Sequence, residues 1–201
     1  MSKHLAFFRL LAKSVLPALA ALLAVMAAAE FFLFQHTAGR MDFENEMLTD
    51  LIDKSHLKIA AFVAIFACGW LLSSAQSLPG SRQDYTLRRL AISRRAMFLW
   101  RFLLCALCFL ALWAAEAWSC FLLCRGFLAS SDASWITGQT LVLTFYQNDF
   151  LHSLLPLADL AGWLLDLLFL LTFSLLAAAG GHYLSLNREK EREEVTPCEN
   201  I

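Results

Sequence analysis

The sequence predicts an all-α, polytopic membrane protein: a single integral membrane domain, residues 1–201, built on four transmembrane helices. Hydrophobic residues make up 59% of the chain, well above the share typical of soluble domains. Charged residues, at 16%, are few and clustered between long, predominantly apolar runs, each of at least the roughly 20 residues that cross a bilayer. No hydrophilic piece between these runs is long enough to form a soluble domain.

These predominantly apolar runs predict transmembrane helices over residues 15–35, 59–78, 96–123 and 160–184. The first run follows basic residues and contains Ala27, Ala28 and Ala29, a pattern that also occurs at signal-peptide cleavage sites. The apolar run continues to Phe34, however, which is longer than a typical signal core. We therefore expect the first span to remain in the protein.

The distribution of charge predicts the orientation of these spans. Basic residues concentrate in the N-terminus (Lys3, Arg9 and Lys13), in the loop between the second and third spans, and in the charged tail, residues 185–201. The first loop is acidic, and the third loop is poor in basic residues. Because cytoplasmic loops carry an excess of Lys and Arg, both termini are predicted to be cytoplasmic, in a plasma or inner membrane.

The loop between the second and third spans is the most ordered hydrophilic part of the sequence. Residues 79–101 contain six arginines and a single acid, Asp84. The apolar residues Leu87, Leu90 and Ile92 lie among these arginines, which predicts a short cytoplasmic amphipathic helix within residues 79–95. The arginines alone are also explained by topology and by attraction to anionic lipid, worth about 1 kcal/mol per basic residue.

The two external loops differ in character. The first predicts a helix around residues 44–58. The second contains two apolar patches, residues 135–146 and 150–157, that are too short to cross a bilayer. Since Trp and Tyr favour the headgroup region, these patches predict interfacial helices. Pro156 is expected in the first turn of the fourth span.

Three acids fall inside the spans: Glu30, Glu116 and Asp166. A charge in hydrocarbon costs a few kcal/mol or more, so these side chains must face protein or water, or hold a proton. In the third span, spacings of three, four and one place the polar and polarizable residues on one stripe, predicted to face the bundle interior. Its members are Arg101, Cys105, Cys108, Leu112, Glu116, Ser119 and Cys120. The acids either form a polar surface related to translocation or hydrogen-bond between helices and hold the bundle together.

Signals for catalysis or cofactor binding are absent from the sequence. It contains no P-loop, no H-E-x-x-H and no G-x-S-x-G. The six cysteines show no supporting histidines, so we expect small apolar residues rather than a metal site. The sequence thus predicts a protein that is not an enzyme, with no cofactor, no metal and no nucleic-acid partner.

The segment DYTLRRLAISRRAMFLW, residues 84–100, resembles the cytoplasmic segment between the second and third spans of ABC-2-type permeases. The resemblance rests on a T-L-x-x-L core, Thr86 to Leu90, followed by Ile92-Ser93-Arg94 leading into the next span. It implies a coupling helix that docks on a cytoplasmic ABC ATPase. The residues it implies for that contact are Tyr85, Leu87, Arg88, Arg89, Leu90, Ile92, Arg94 and Arg95. Such permeases usually have six spans, whereas this chain has four, which implies a second membrane subunit or a homo-oligomer in contact with membrane lipid.

Two other classes of function remain open. In a membrane accessory or assembly protein, the arginine segment would serve only as an anchor. In an ion-coupled carrier, Glu30, Glu116 and Asp166 would bind the coupling ion, although the inverted repeats common in carriers are not visible in this sequence. A P-loop ATPase that binds the chain would favour the permease.

Overall fold

The computed structural model describes residues 3–40, 48–75, 93–130 and 138–195. Within these ranges the regular secondary structure is entirely helical. The seven helices are α1 (Lys3–Ala38), α2 (Leu48–Lys54), α3 (Leu57–Ala75), α4 (Arg94–Ser130), α5 (Gly138–Gln147), α6 (Asp149–Leu154) and α7 (Leu160–Val195).

Four of these helices, α1, α3, α4 and α7, are long and apolar enough to cross a membrane, which confirms the four predicted spans. Three are longer than the predicted spans. Helices α1, α4 and α7 contain 36, 37 and 36 residues. At 1.5 Å per residue each is roughly 55 Å long, whereas the hydrocarbon core of a bilayer is about 30 Å thick. Each of these helices is therefore longer than the hydrocarbon core is thick.

Helix α4 begins within the predicted cytoplasmic segment, residues 79–95. Ser93 is its cap: the Ser93 hydroxyl accepts a hydrogen bond from the Ala96 amide at 3.3 Å, as expected of a residue that satisfies a free N–H in the first turn. Arg94 and Arg95, which the sequence analysis included in the cytoplasmic segment, are the first residues of α4. The rest of that segment, residues 79–92, lies outside the described residues.

The first of two compact units comprises Met1–Ala20, Phe66–Phe109 and Leu170–Ile201, as far as these are described. In its part of α1 a buried stripe repeats every four residues, the spacing of one helix face: Phe7, Leu11, Val15 and Leu19. Helices α3 and α7 approach closely at Ser73, whose hydroxyl lies 3.3 Å from the Ala177 carbonyl oxygen. Gly180 permits this approach, since a Cβ there would lie 3.2 Å from the Ser73 hydroxyl.

The second unit comprises Ala21–Ile65 and Leu110–Phe169. Its apolar core draws on α1, α2, α3, α4, α5 and α6 and is formed by Phe34, Ala38, Leu51, Ile52, Leu57, Cys120, Cys124, Phe145, Leu151 and Leu154. Helix α2 ends at Lys54, earlier than the predicted 44–58 helix. His56 then adopts a left-handed conformation with φ of 58°. This turn separates α2 from α3, because the left-handed region terminates a helix.

The segment before the fourth candidate span contains α5 and α6, which overlap the two apolar patches predicted to be interfacial. Their depth in a membrane stays a prediction. Asn148 separates them and is 2% exposed. Its Oδ1 accepts hydrogen bonds from the Phe150 and Leu151 amides, each at 3.1 Å, and so caps α6. Its Nδ2 donates to Asp53 Oδ1 at 2.9 Å. This single side chain therefore ties α6 to α2.

Replacement of Asn148 by alanine is expected to lower the stability of the second unit. The substitution removes the cap of α6 and the bond to Asp53, a loss of about 1–3 kcal/mol. Thermal unfolding of the purified chain in detergent should show a melting temperature lower by several degrees, at about 2–4 °C per kcal/mol for a chain of this length. The control is Ser153→Ala, since the exposed Ser153 hydroxyl bonds to the Phe150 carbonyl of its own helix. Equal melting temperatures for the two variants would contradict the role given to Asn148.

Pro156 is not in the first turn of the fourth span, so that prediction was wrong. Helix α7 begins at Leu160, and Asp159 caps it by accepting a hydrogen bond from the Ala161 amide at 3.0 Å. The buried Pro156 lies before this cap and packs on Gly162. A Cβ on Gly162 would lie 2.7 Å from the Cβ of Pro156, so only glycine fits without movement.

Candidate functional site

The polar stripe predicted on the third span is turned towards protein. Of its seven members, five are buried and two are half-buried. The buried ones are Cys105, Cys108, Leu112, Glu116 and Cys120, and the half-buried ones are Arg101 and Ser119. By contrast, Leu103, Leu107 and Leu122 of the same helix are exposed. The prediction that the stripe faces the interior is confirmed, and it follows from the 3.6-residue period of the helix.

Two of the three intramembrane acids meet in the second unit. Glu30 of α1 is 0% exposed and Glu116 of α4 is 4% exposed. The two carboxyl groups are close enough to interact electrostatically. The Ser119 hydroxyl, one turn beyond Glu116 on α4, donates a hydrogen bond to Glu30 Oε2. Helices α1 and α4 are thus joined at this level by polar side chains.

The carboxyl pair (Glu30 and Glu116) is incompletely hydrogen-bonded. Among the described residues, neither Oε1 of Glu30 nor either carboxyl oxygen of Glu116 has a hydrogen-bond partner, although all three atoms are buried. A buried polar group without a partner costs a few kcal/mol, and most such groups in proteins are satisfied. The carboxyl pair is therefore a candidate site for binding a hydrogen-bond donor.

The surroundings of the carboxyl pair are apolar. On α1, Glu30 belongs to a buried stripe of spacing four with Met26, Phe34 and Ala38. On α4, the fully buried Cys120 interacts electrostatically with both carboxyl groups. Apolar surroundings strengthen electrostatic interactions inside the site and make a second negative charge costly.

Asp166, the third acid, stands apart from this pair. It is half-buried on α7, and its Oδ2 is a buried atom for which the described residues provide no hydrogen-bond partner. One turn earlier, the Trp163 ring contacts the Trp113 ring edge-on at a centroid distance of 5.9 Å. The structure therefore gives contacts that join Glu30 to Glu116 and none that join Asp166 to either of them, as far as the chain is described.

Sequence reasoning named Glu30 and Ser119 but not their contact. The period-four burial of Met26, Glu30, Phe34 and Ala38 marks the protein-facing side of α1, whereas the sequence there is apolar on every face and does not indicate which side is buried. What the pattern could not specify was the helix that this side meets, because that depends on packing between distant parts of the chain.

The described cysteines are small buried residues of the long helices, and none of them forms a disulfide within the described ranges: Cys68, Cys105, Cys108, Cys120 and Cys124. Within the described ranges, no three His, Cys, Asp or Glu side chains are grouped so that they could hold a metal ion. Cys198 lies outside those ranges.

Most of the predicted partner-coupling residues lie outside the described residues. These are Tyr85, Leu87, Arg88, Arg89, Leu90 and Ile92. The structure does describe what surrounds the end of this segment in the first unit. Trp100 donates a hydrogen bond from its indole nitrogen to His4 Nδ1 at 3.2 Å, and the Phe98 ring lies 6.4 Å from that of His182. The start of α1, the start of α4 and the His182 region of α7 therefore lie together.

No protein-family model, curated protein or solved structure matches this chain. Its function is therefore argued from its own residues.

Proposed function

We propose that this chain is a permease-type membrane subunit of an ABC transport system, driven by a separate cytoplasmic ATPase that binds residues 79–95. The observation that carries this proposal is the continuity of α4, which begins at Arg94 and runs unbroken to Ser130. A subunit without a P-loop must receive work from another protein, and a helix transmits displacement where a loose loop does not. The proposed docking segment, residues 79–95, runs directly into this helix: Ser93 precedes the first turn, and Arg94 and Arg95 belong to it.

Helix α4 also connects the proposed docking segment to the polar side chains of the bundle. Glu116 lies on the same helix as Arg94, about six turns further along. A movement of α4 along or about its axis would therefore displace Glu116 and Ser119 relative to Glu30, with which the Ser119 hydroxyl forms a hydrogen bond. This linkage supports a role in which ATP-driven displacement alters the polar interior.

The contacts of the first unit support the proposed orientation. His4 and Trp100 lie near the starts of α1 and α4, next to basic residues, and the contact between Phe98 and His182 brings α7 beside the start of α4. Beyond His182, α7 continues into residues 185–195, which contain Arg188, Lys190 and Arg192 among four glutamates. Because basic residues are retained in the cytoplasm, we place this end, with both termini, on the cytoplasmic side of a plasma or inner membrane. The acidic loop containing α2 then faces outwards.

The proposed orientation predicts a pattern of chemical accessibility. Probe cysteines placed at Asn45 and Ser131 should react in intact cells with a membrane-impermeant thiol reagent, whereas probes at Gln83 and Glu191 should not. The background should carry Cys198→Ser, so that the native cysteine nearest the C-terminus does not react. Permeabilised cells provide the control, since all four probes should then be labelled. Labelling of Gln83 from outside intact cells would overturn the orientation and with it the docking segment.

We further propose that a second membrane subunit or a second copy of the chain completes the pathway. Helix α7 is the least covered of the spanning helices: 11% of its most apolar window is buried, against 28% for α4. Its exposed leucines suit contact with lipid or with another hydrophobic subunit.

The test of the proposal is purification of the full chain from its native membrane in mild detergent. We expect a P-loop ATPase to co-purify and to hydrolyse ATP faster when bound than after dissociation. A bound protein without a P-loop, or the absence of any bound ATPase, would contradict the permease function and favour an accessory protein.

One further candidate has an observation in its favour. The carboxyl pair is the kind of group that an ion-coupled carrier uses within the membrane. Transport into vesicles without ATP, driven by an imposed ion gradient, would favour that function over the permease.

A further inference from the structure

We propose that Glu30 and Glu116 form a single proton-binding site, in which one proton is shared between the two carboxyl groups and exchanges with water. This inference does not depend on the proposed transport function, because it concerns the chain alone. It rests on the geometry of the second unit: two carboxyl side chains from different helices, both buried, lying side by side.

Within the described residues, the carboxyl pair has fewer hydrogen-bond donors than its four oxygens can accept. The Ser119 hydroxyl satisfies one oxygen, Oε2 of Glu30. The other three carboxyl oxygens have no partner among the described residues. The deficit is greatest at Glu116. This residue is 4% exposed, and neither of its carboxyl oxygens has a hydrogen-bond partner among the described residues. A ligand that supplies a hydrogen-bond donor between the carboxyl groups would correct this deficit.

A proton is the ligand that fits two carboxyl groups. It adds to one carboxylate oxygen, an O–H bond forms, and that O–H donates a hydrogen bond to the facing carboxylate. The charge of the pair falls from two negative charges to one. This lowers the energy of the site, because two adjacent carboxyl groups in apolar surroundings do not readily both ionise. On release, the proton returns to water and no electron is transferred. A metal ion fits less well, because the described residues contain no group of three metal-ligating side chains.

The titratable groups that interact with one another at this site are the two carboxyl groups and the Cys120 thiol. Two carboxyl groups that share a proton titrate as a pair, in two separate steps that belong to neither residue alone. Independent carboxyl groups in similar surroundings would instead titrate without regard to each other. The displacement of the midpoint of the remaining carboxyl group on removal of its partner therefore distinguishes a shared proton from two separate acids.

The experiment is a pH titration of the full chain in lipid vesicles, followed by infrared spectroscopy of the carbonyl band that a protonated carboxyl group has and a carboxylate lacks. The double variant, Glu30→Gln with Glu116→Gln, serves as the baseline, because subtraction of its spectra removes the bands of the other carboxyl groups. In the difference we expect the wild type to gain the band in two steps as the pH falls. Glu30→Gln and Glu116→Gln should each show one step, with a midpoint displaced from both wild-type steps, and midpoints that coincide with the wild-type steps would overturn the shared proton. Asp166→Asn, a change to the acid that stands apart, should leave both steps in place.

A wild-type band that titrates in one step, or that does not respond to pH, overturns the shared proton. So does a pair of steps that survives in either single variant. Should a glutamine variant fail to fold, Ser119→Ala provides a separate test of the site's geometry, because it keeps both carboxyl groups and removes only the hydroxyl donor to Glu30. We expect it to keep two steps and to shift the frequency of the band. An unchanged frequency would remove this hydroxyl from the site and overturn the geometry on which the inference rests.

Discussion

Leu87→Asp combined with Leu90→Asp is expected to release the proposed cytoplasmic ATPase while the chain still inserts in the membrane. The two leucines lie among Arg88, Arg89 and neighbouring arginines, where attraction to lipid would need only the charges. Burial of a leucine contributes about 1.5–3 kcal/mol, so loss of both should weaken the complex at least a hundredfold, since 1.4 kcal/mol corresponds to about tenfold. The measurement is the fraction of ATPase that co-purifies with the variant, with membrane insertion followed in parallel.

The matched control keeps the apolar residues and changes the shape of the cations. Arg88→Lys with Arg89→Lys preserves the charge, so the ATPase should be retained, unless a bidentate contact is made through a guanidinium group. If the double aspartate variant retains the ATPase, residues 79–95 are not a docking helix. Loss of binding in the lysine variant alone would show that the contact depends on guanidinium geometry rather than on apolar burial.

The number and approximate positions of the spanning helices could be predicted from the sequence because hydrophobicity over about 20 residues is a local property. Helix ends could not. Ser93 caps α4 at Arg94, yet Arg94 and Arg95 belong equally to a charged loop when only charge is read. Likewise, Pro156 suits the first turn of a helix. However, the side chain of Asp159, three residues later, caps α7, and Pro156 packs on Gly162 before the helix begins.

The candidate site was predictable to the extent that it depends on a single helix. The stripe on α4 follows from spacing alone, and the structure confirms that it faces protein. The contact between Glu30 and Glu116 depends on which face of α1 meets α4, and no local pattern determines that pairing. Asn148 was missed for a related reason. An asparagine between two apolar patches indicates a turn, and nothing in the sequence identifies Asp53 as its distant partner.

Glu116→Leu is expected to lower the folded yield and the thermal stability of the chain in detergent. In the proposed proton-sharing pair, an O–H between Glu116 and Glu30 satisfies both carboxyl groups. Leucine removes this hydrogen bond and leaves the fully buried Glu30 carboxyl group with the Ser119 hydroxyl as its donor within the described structure. An unsatisfied buried carboxyl costs about 1–3 kcal/mol or more, which for a chain of this length corresponds to about 2–4 °C in melting temperature per kcal/mol. The measurements are the yield of monodisperse protein after size-exclusion chromatography and the midpoint of thermal unfolding.

Two control variants separate the site from the helix. Leu122→Ala lies on α4 but is 48% exposed, so it should retain the yield and melting temperature of the wild type. Glu116→Gln keeps the size and hydrogen-bonding capacity of Glu116, and its amide can donate to Glu30, so it should recover most of the stability that Glu116→Leu loses. If Glu116→Leu matches the wild type in yield and melting temperature, Glu116 does not support Glu30 in the folded chain, and the carboxyl pair has no structural role in holding α1 against α4. If Leu122→Ala is as damaging as Glu116→Leu, the loss comes from general weakening of α4 rather than from the buried acid.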